Sequence, residues 1–330
     1  MAYSSLAATA MRWYRHVMWR TVRSPSFEYN EFVPIDKMDF THGPMNDNYP
    51  THCTVADNLI HHIGLFEKQI TGIELSMCSH ITVSHNTIYD VPRAGINISE
   101  GTWGGHIIEH NDIFNTVKET GDHGSINSWG RDRYWHPDYR HMCEIAEQHP
   151  ELILADAISP VTISHNRLRC DRGWDIDLDD GSSNYIIMDN ICLNGGIKLR
   201  EGFYRTVENN ILVNNTFHPH VWFKQSGDVF RHNVVMRPYQ PINLQGWGAE
   251  VDYNVFTDSL SLIESQQYGI DSHSIVADIA FADFTKGNYK LYSQNEVNGD
   301  MPDTLTFFRN FDMDSFGVQS PKLKALAKLP

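Results

Sequence analysis

One six-residue pattern recurs eight times along this chain: an apolar residue, two variable residues, asparagine, one variable residue and a second apolar residue. It reads VADNLI, VSHNTI, IEHNDI, ISHNRL, IMDNIC, VENNIL, FRHNVV and VDYNVF. The asparagines are Asn58, Asn86, Asn111, Asn166, Asn190, Asn210, Asn233 and Asn254, in steps of 28, 25, 55, 24, 20, 23 and 21 residues. Steps of this size suit one coil of short strands and turns, whereas helical repeats run longer and carry a 3.6-residue period. An asparagine at the same bend of every coil can stack its amide on its neighbours at the strand spacing of about 4.8 Å. That gives partners to polar groups otherwise unpaired inside a turn. The pattern predicts an all-β chain, a right-handed parallel β-helix.

A second series follows the first: GIEL, GINI, SINS, DIDL, GIKL, HVWF and PINL. Each alternates as a strand with one face inward. Taking Ile73, Ile96, Ile126, Ile176, Ile197, Val221 and Ile242 as inward puts Glu74, Asn97, Asn127, Asp177, Lys198, Trp222 and Asn243 in one outward column. A parallel column then holds Ser76, Ser99, Trp129, Asp179, Arg200, Lys224 and Gln245.

The 55-residue step holds only one such strand, so the excess is an excursion, expected from Ser128 to Ile158. It carries Trp129, Tyr134, Trp135 and Tyr139, with a short helix expected around Met142 to Gln148. Long loops on solenoids project from one face and are commonly functional, and this one reads as the wall or lid of a groove. The chain divides into an irregular N-terminal segment (1–50), the solenoid (51–260) and a C-terminal coil and tail packing on it (261–330).

A formal charge of −15 argues against nucleic acid or an anionic membrane as partner. No apolar run is long enough for a membrane span, the first 20 residues lack the unbroken apolar stretch of an export signal, and a monomer is expected. The five cysteines show no zinc spacing and read as buried free thiols.

The middle coils present carboxylates, cations and indoles side by side, the composition of a sugar-binding groove. Asp177 and Asp179, two apart on a strand, share a face with Cα atoms about 6.7 Å apart. Lys198 and Arg200 on the next coil form pairs with them. A neighbouring cation favours the ionised carboxylate, which suits a nucleophile or base. The acid then comes from Asp180 or Glu201 at the strand end, or from Asp122 or His123 in GDHG on an earlier coil, His123 otherwise contacting substrate. Trp129, Trp222 and Trp247 are expected as sugar platforms. Lys198, Arg200 and Lys224 would bind hydroxyl or carboxylate groups, with Asn127, His220 and Gln245 completing the binding surface. His85, His110, His165 and His232 precede ladder asparagines and read as turn residues. No zinc motif is present, so no metal or other cofactor is expected. Calcium on the acidic strip would have to contend with Lys198 and Arg200.

The segments GINISEGTWGGHIIEHND, ETGDHGSINSWGRDRYWHP, GWDIDLDDGSSN, LNGGIKLREGFYRTVENNI and NNTFHPHVWF resemble bacterial right-handed β-helix carbohydrate-active enzymes, glycoside hydrolase family 141 in particular. The resemblance runs from about Thr41 to Ala327. It implies a pair of catalytic aspartates on the β-helix face, drawn from Asp177, Asp179, Asp180 and Asp122, α-L-fucosidase or xylanase activity, and an extracellular or periplasmic location. Members are longer at the N-terminus, so the residues before about Thr41 are expected to stand where members carry the coils that cap the solenoid. The expected function is hydrolysis of a plant or algal polysaccharide, or an oligosaccharide from one. Two other readings remain: a lyase or epimerase on uronate glycans with Lys198 or Arg200 as base, and a non-catalytic carbohydrate-binding β-helix.

Overall fold

The computed structural model describes residues 33–99, 102–283, 288–293 and 315–328. They form a right-handed parallel β-helix of three parallel sheets with eight, nine and six strands. Through Phe217–Pro219 each coil visits the sheets in turn: Thr54–Ala56, Leu59–His61 and Ile73–Leu75 lie in the first, second and third, and Thr82–Ser84 returns to the first. Inward residues stack in register. Val83, Ile108, Ile163, Ile187, Val207 and Phe230 line the first sheet, and Ile88, Ile113, Leu168, Cys192, Leu212 and Val235 line the second. Ile96, Ile126, Ile176, Ile197 and Phe217 line the third. All are buried in one continuous core.

The asparagine ladder forms at the bend between the first and second sheets. Asn166 shows its logic: Nδ2 donates to Asn190 Oδ1 (3.0 Å) on the next coil, while Asn166 Oδ1 accepts from Asn111 Nδ2 (3.0 Å) and Asn111 N (2.9 Å) on the coil before. The series ends where Asn254 Nδ2 meets Asp271 Oδ1 (3.0 Å) and Asn254 N meets Ser274 Oγ (2.7 Å). The residue before each ladder asparagine (Asp57, His85, His110, His165, Asp189, Asn209, His232, Tyr253) is left-handed, with φ between 53° and 57°. Asn, Asp and His tolerate that conformation best, which accounts for the recurring HN, DN and NN dipeptides. Gly196 is needed for a different reason: at φ +68°, a Cβ would lie 2.1 Å from Thr216 O of the adjacent coil.

The 55-residue step is a single coil, because Ile107–Glu109 pairs directly with Val161–Ser164 and Asp112–Phe114 with Arg167–Arg169. The excursion contains a helix, Tyr139–Gln148, starting three residues before the expected Met142 because the Asp138 side chain caps it, accepting from His141 N. Its Tyr134, Trp135, Met142 and Ile145 pack with Phe203 and Phe223 into a second core outside the solenoid. Arg133 fastens the N-terminal segment to this loop by donating to Asp39 O (2.6 Å) and Thr41 O (2.7 Å).

The second sheet's outer face is apolar towards the C-terminal end. Ile191, Ile211, Val234 and Val255 are covered there by Ile279 and Phe281 of an antiparallel hairpin (Ile279–Asp283, Asn288–Ser293) and by Phe316. The tail then runs back along the early coils: Gly317 N donates to His110 O, Val318 N to Thr87 Oγ1, and Gln319 N to Asp57 Oδ1. Cys78, Cys170 and Cys192 are buried free thiols, but Cys143 is half-buried and Cys53 exposed, the latter because the first coil has no described coil before it to cover its loop. No helix among the described residues is long and apolar enough to cross a membrane.

Candidate functional site

The third sheet carries the chemistry. Its paired positions are Glu74, Asn97, Asn127, Asp177, Lys198 and His218, one per coil. The expected column held up to Lys198 and then slipped: His218, not Trp222, lies beside Lys198, and Phe217, not Val221, continues the inward row. The strand stops at Pro219 and Val221 turns left-handed at φ 56°. Trp222 therefore swings inward, is fully buried, and donates its indole N–H to Leu199 O (2.9 Å). It is a core residue and offers no ring to a sugar. Lys224 and Gln245 leave the column with it. Gln245 Oε1 accepts from Lys224 N (3.2 Å), and its Nε2 reaches Tyr139 Oη (2.6 Å) on the excursion. Trp247 packs partly buried against the core, beside Tyr239 and Tyr268.

Asn127 is also spent on structure: Nδ2 donates to Asn97 Oδ1 (3.0 Å) and Oδ1 accepts from Gly124 N (3.1 Å), with the side chain buried. Trp129 has the guanidinium of Arg131 4.4 Å from its ring centre and that of Arg93 5.6 Å away, so cations already cover the expected platform.

The carboxylates do converge. One oxygen each from Asp122, Asp177 and Asp179 lie within 4.8 Å of one another. The Lys198 ammonium stands among them, 2.9 Å from Asp177, 3.6 Å from Asp122 and 3.7 Å from Asp179. Its charge offsets part of the acidic field of these three groups. Arg200 gathers the other acids, at 3.1 Å from Asp179, 3.4 Å from Asp180 and 2.7 Å from Glu201. Asp179 is thus held between two cations, and its side chain remains 15% exposed.

Burial divides these groups. Asp177 is fully buried, and desolvation pushes it well above the ordinary carboxylate range, with Lys198 pulling the other way. This corrects the expectation that its cation would hold it ionised: desolvation outweighs the single ion pair. Asp177 has no exposed surface and meets Lys198 directly. Desolvation also raises Glu201, against Arg200, and Asp180, where Asp179 adds to the effect. Burial lowers Lys198, but Asp177 and Asp179 outweigh it and hold the ammonium above its usual value.

The excursion walls one side of this patch. Trp135 Nε1 donates to Glu201 Oε1 (3.2 Å) and Arg131 Nε to Asp180 Oδ2 (3.2 Å). On the other side stands Trp174, its ring centre 4.0 Å from Lys198 Nζ, with His218 and His220 edge-on to it. Sequence reasoning missed Trp174 as a site residue, although it precedes the DIDLDD strand directly and so enters beside Asp177. His123 accepts from Arg93 Nε at Nε2 (3.2 Å), which leaves Nδ1–H for Thr120 Oγ1 (3.0 Å). Desolvation lowers His123, His218 and His220 to about 4, so all three are neutral at pH 7. Asp175 lies outside the patch: its oxygens accept from the backbone N–H groups of Cys170, Asn194, Gly195 and Gly196, holding two turns together.

Two cavities flank the carboxylates without containing them, one lined by Asp132, Ser182, Ser183 and Tyr185 and the other by Ile35, Met38, Trp135 and His141. The titratable cluster, not concavity, marks the candidate site. Comparison of the chain with protein-family models, with curated proteins and with solved structures finds no match.

Proposed function

We propose that this chain is a glycoside hydrolase acting on a plant or algal polysaccharide or an oligosaccharide from one, in line with the resemblance of its motifs to family 141. One observation carries the reading: Asp179, partly exposed and flanked by Lys198 and Arg200, stands beside two carboxyl groups, Asp180 and Glu201, that burial pushes up. Neighbouring carboxyls whose environments differ in this way divide acid and base work between them. Glu201 or Asp180, whose carboxyls burial shifts towards the protonated form, would give its proton to the glycosidic oxygen as the bond to the anomeric carbon breaks. Asp179 serves as nucleophile or as the base for a water. Trp174 offers an aromatic edge to the ring.

The lyase alternative needs a neutral lysine or arginine to take a proton. Carboxylates hold Lys198 and Arg200 above their ordinary values, so both stay charged at neutral pH, which weighs against that reading.

The test is reducing-sugar release from fucosylated, xylan and pectic substrates by the wild-type chain and by Asp179→Asn and Glu201→Gln, with circular dichroism to confirm folding. Loss of at least about 100-fold in each folded variant is expected. Wild-type rates in both would overturn the assignment, and products absorbing as conjugated uronates would turn it to a lyase.

A further inference from the structure

Between the excursion and the solenoid wall lies a cavity of about 10 Å³, lined by Asp132 and by Thr102, Ser159, Ser182, Ser183 and Tyr185. That is room for one water-sized sphere. Asp132 is buried, and its Oδ2 has no hydrogen-bond partner among the described residues. The neighbouring acid, Asp156, is fully engaged: Arg133 donates to both of its oxygens, from Nε (3.0 Å) and from the backbone N (2.8 Å). Arg133 spends its remaining donors on the carbonyls of Asp39, Thr41 and Ala155. Desolvation, with the charge of Asp156 added, raises Asp132 well above the usual range against the pull of Arg133. One carboxyl facing this cavity therefore has no counter-charge of its own.

The wall around it is built from oxygen. Tyr185 Oη and Ser182 Oγ both meet Ser128 Oγ (2.7 and 2.9 Å), and Ser183 Oγ accepts from Phe203 N (3.1 Å). Ser182 Oγ is already engaged by Ser128 Oγ, Gly130 N and Asp179 O, while Ser183 Oγ, which also meets Tyr134 Oη (3.1 Å), and Tyr185 Oη each keep a lone pair when they donate to those neighbours; no lysine, arginine or histidine lines the space. Oxygen donors without nitrogen or sulfur suit a hard cation. A divalent ion would leave excess positive charge beside a single carboxylate, whereas a monovalent ion balances it.

We propose that this cavity binds one monovalent cation, sodium or potassium, with the Asp132 carboxylate as the charged ligand and hydroxyls of Ser183 and Tyr185 among the neutral ones. The ion pins the excursion to the turn behind the candidate site, where Gly130 N donates to Ser182 Oγ (3.2 Å) and Arg131 N to Asp180 O (2.7 Å). The proposal does not rest on the hydrolase reading.

Thermal unfolding of the whole chain in sodium, potassium or choline chloride at equal ionic strength tests it. A saturable rise in Tm with sodium or potassium but not choline is expected, and Asp132→Asn should abolish it. Equal Tm in all three salts would mean a neutral carboxyl beside a water and would overturn the proposal, as would a rise seen only with divalent ions. If Asp132→Asn does not fold, Ser183→Ala replaces it: the salt midpoint should move several-fold upward, and an unmoved midpoint would overturn the site.

Discussion

Lys198 Nζ stands 2.9 Å from Asp177 Oδ1 on the neighbouring strand, and both side chains are almost entirely shut off from solvent. A buried pair of this kind contributes little net stability over an apolar pair, but removing one member leaves the other buried without its partner. Because desolvation already raises Asp177, Lys198→Met should lower unfolding stability by about 1–3 kcal/mol in urea titration. Adding Asp177→Asn to it should recover a large part of the loss. A single-variant loss within the range of exposed ion pairs, below about 1 kcal/mol, would show the pair to be screened.

The asparagine ladder gives a second expectation. Asn166→Ala removes the acceptor of two Asn111 donors and frees the carbonyls of Ile108 and Ser164, which its Nδ2 satisfies at 2.9 Å each. Buried polar groups left unpaired cost about 1–3 kcal/mol each, so the loss should exceed that of one ordinary hydrogen bond. Asn166→Asp keeps the shape and the acceptor but cannot donate to Asn190, and should fall in the same range. Guanidinium unfolding midpoints measure both, and a loss under about 0.5 kcal/mol would mean that the ladder relaxes around the gap.

Trp222 separates core from platform. Trp222→Ala should cost about 3–5 kcal/mol through the cavity it leaves, while Trp222→Phe should leave glycan affinity unchanged when binding is measured on the folded variant. A drop in affinity without a drop in stability would return this indole to the glycan face.

The buried histidines set a pH dependence. His218 falls from 6.5 to about 4, first through burial and then through His220 and Lys198. Between these values the unfolded chain binds the proton and the folded chain does not. The stabilisation is therefore whole above pH 6.5 and is lost as pH falls towards 4. His218→Gln should flatten the stability curve across that window by up to about 1 kcal/mol per pH unit relative to the wild type. Identical slopes would show that the ring is protonated in the fold.

The coil repeat, the excursion and the gathering of Asp177, Asp179, Lys198 and Arg200 were legible in sequence because strand alternation with period two fixes which side chains share a face. The slip at HVWF came from treating alternation as unbroken through Pro219 and Val221. The coil length held the correction: Asn190 precedes Ile197 by seven residues, and Asn210 precedes Phe217 by the same number. Alternation also could not distinguish outward from exposed. Asp177 and Asn127 point away from the core and yet are buried, because Trp174 at the start of the Asp177 strand, His123 just before the Asn127 strand and Arg93 from an earlier coil stand over the sheet. Desolvation set by such neighbours decides which carboxyl can act as an acid, and it follows from long-range packing.

A stack of coils with only nearest-neighbour contacts ordinarily frays from its ends, each unit lost nearly independently of those far away. Here Gln319 N holds Asp57 Oδ1 at 2.6 Å and Val318 N holds Thr87 Oγ1 at 3.0 Å, so residues more than 230 positions apart share a fate. The solenoid behaves as a closed ring of dependencies: peeling the tail loosens the first coils, and the molecule resists unravelling from either end until that clasp opens.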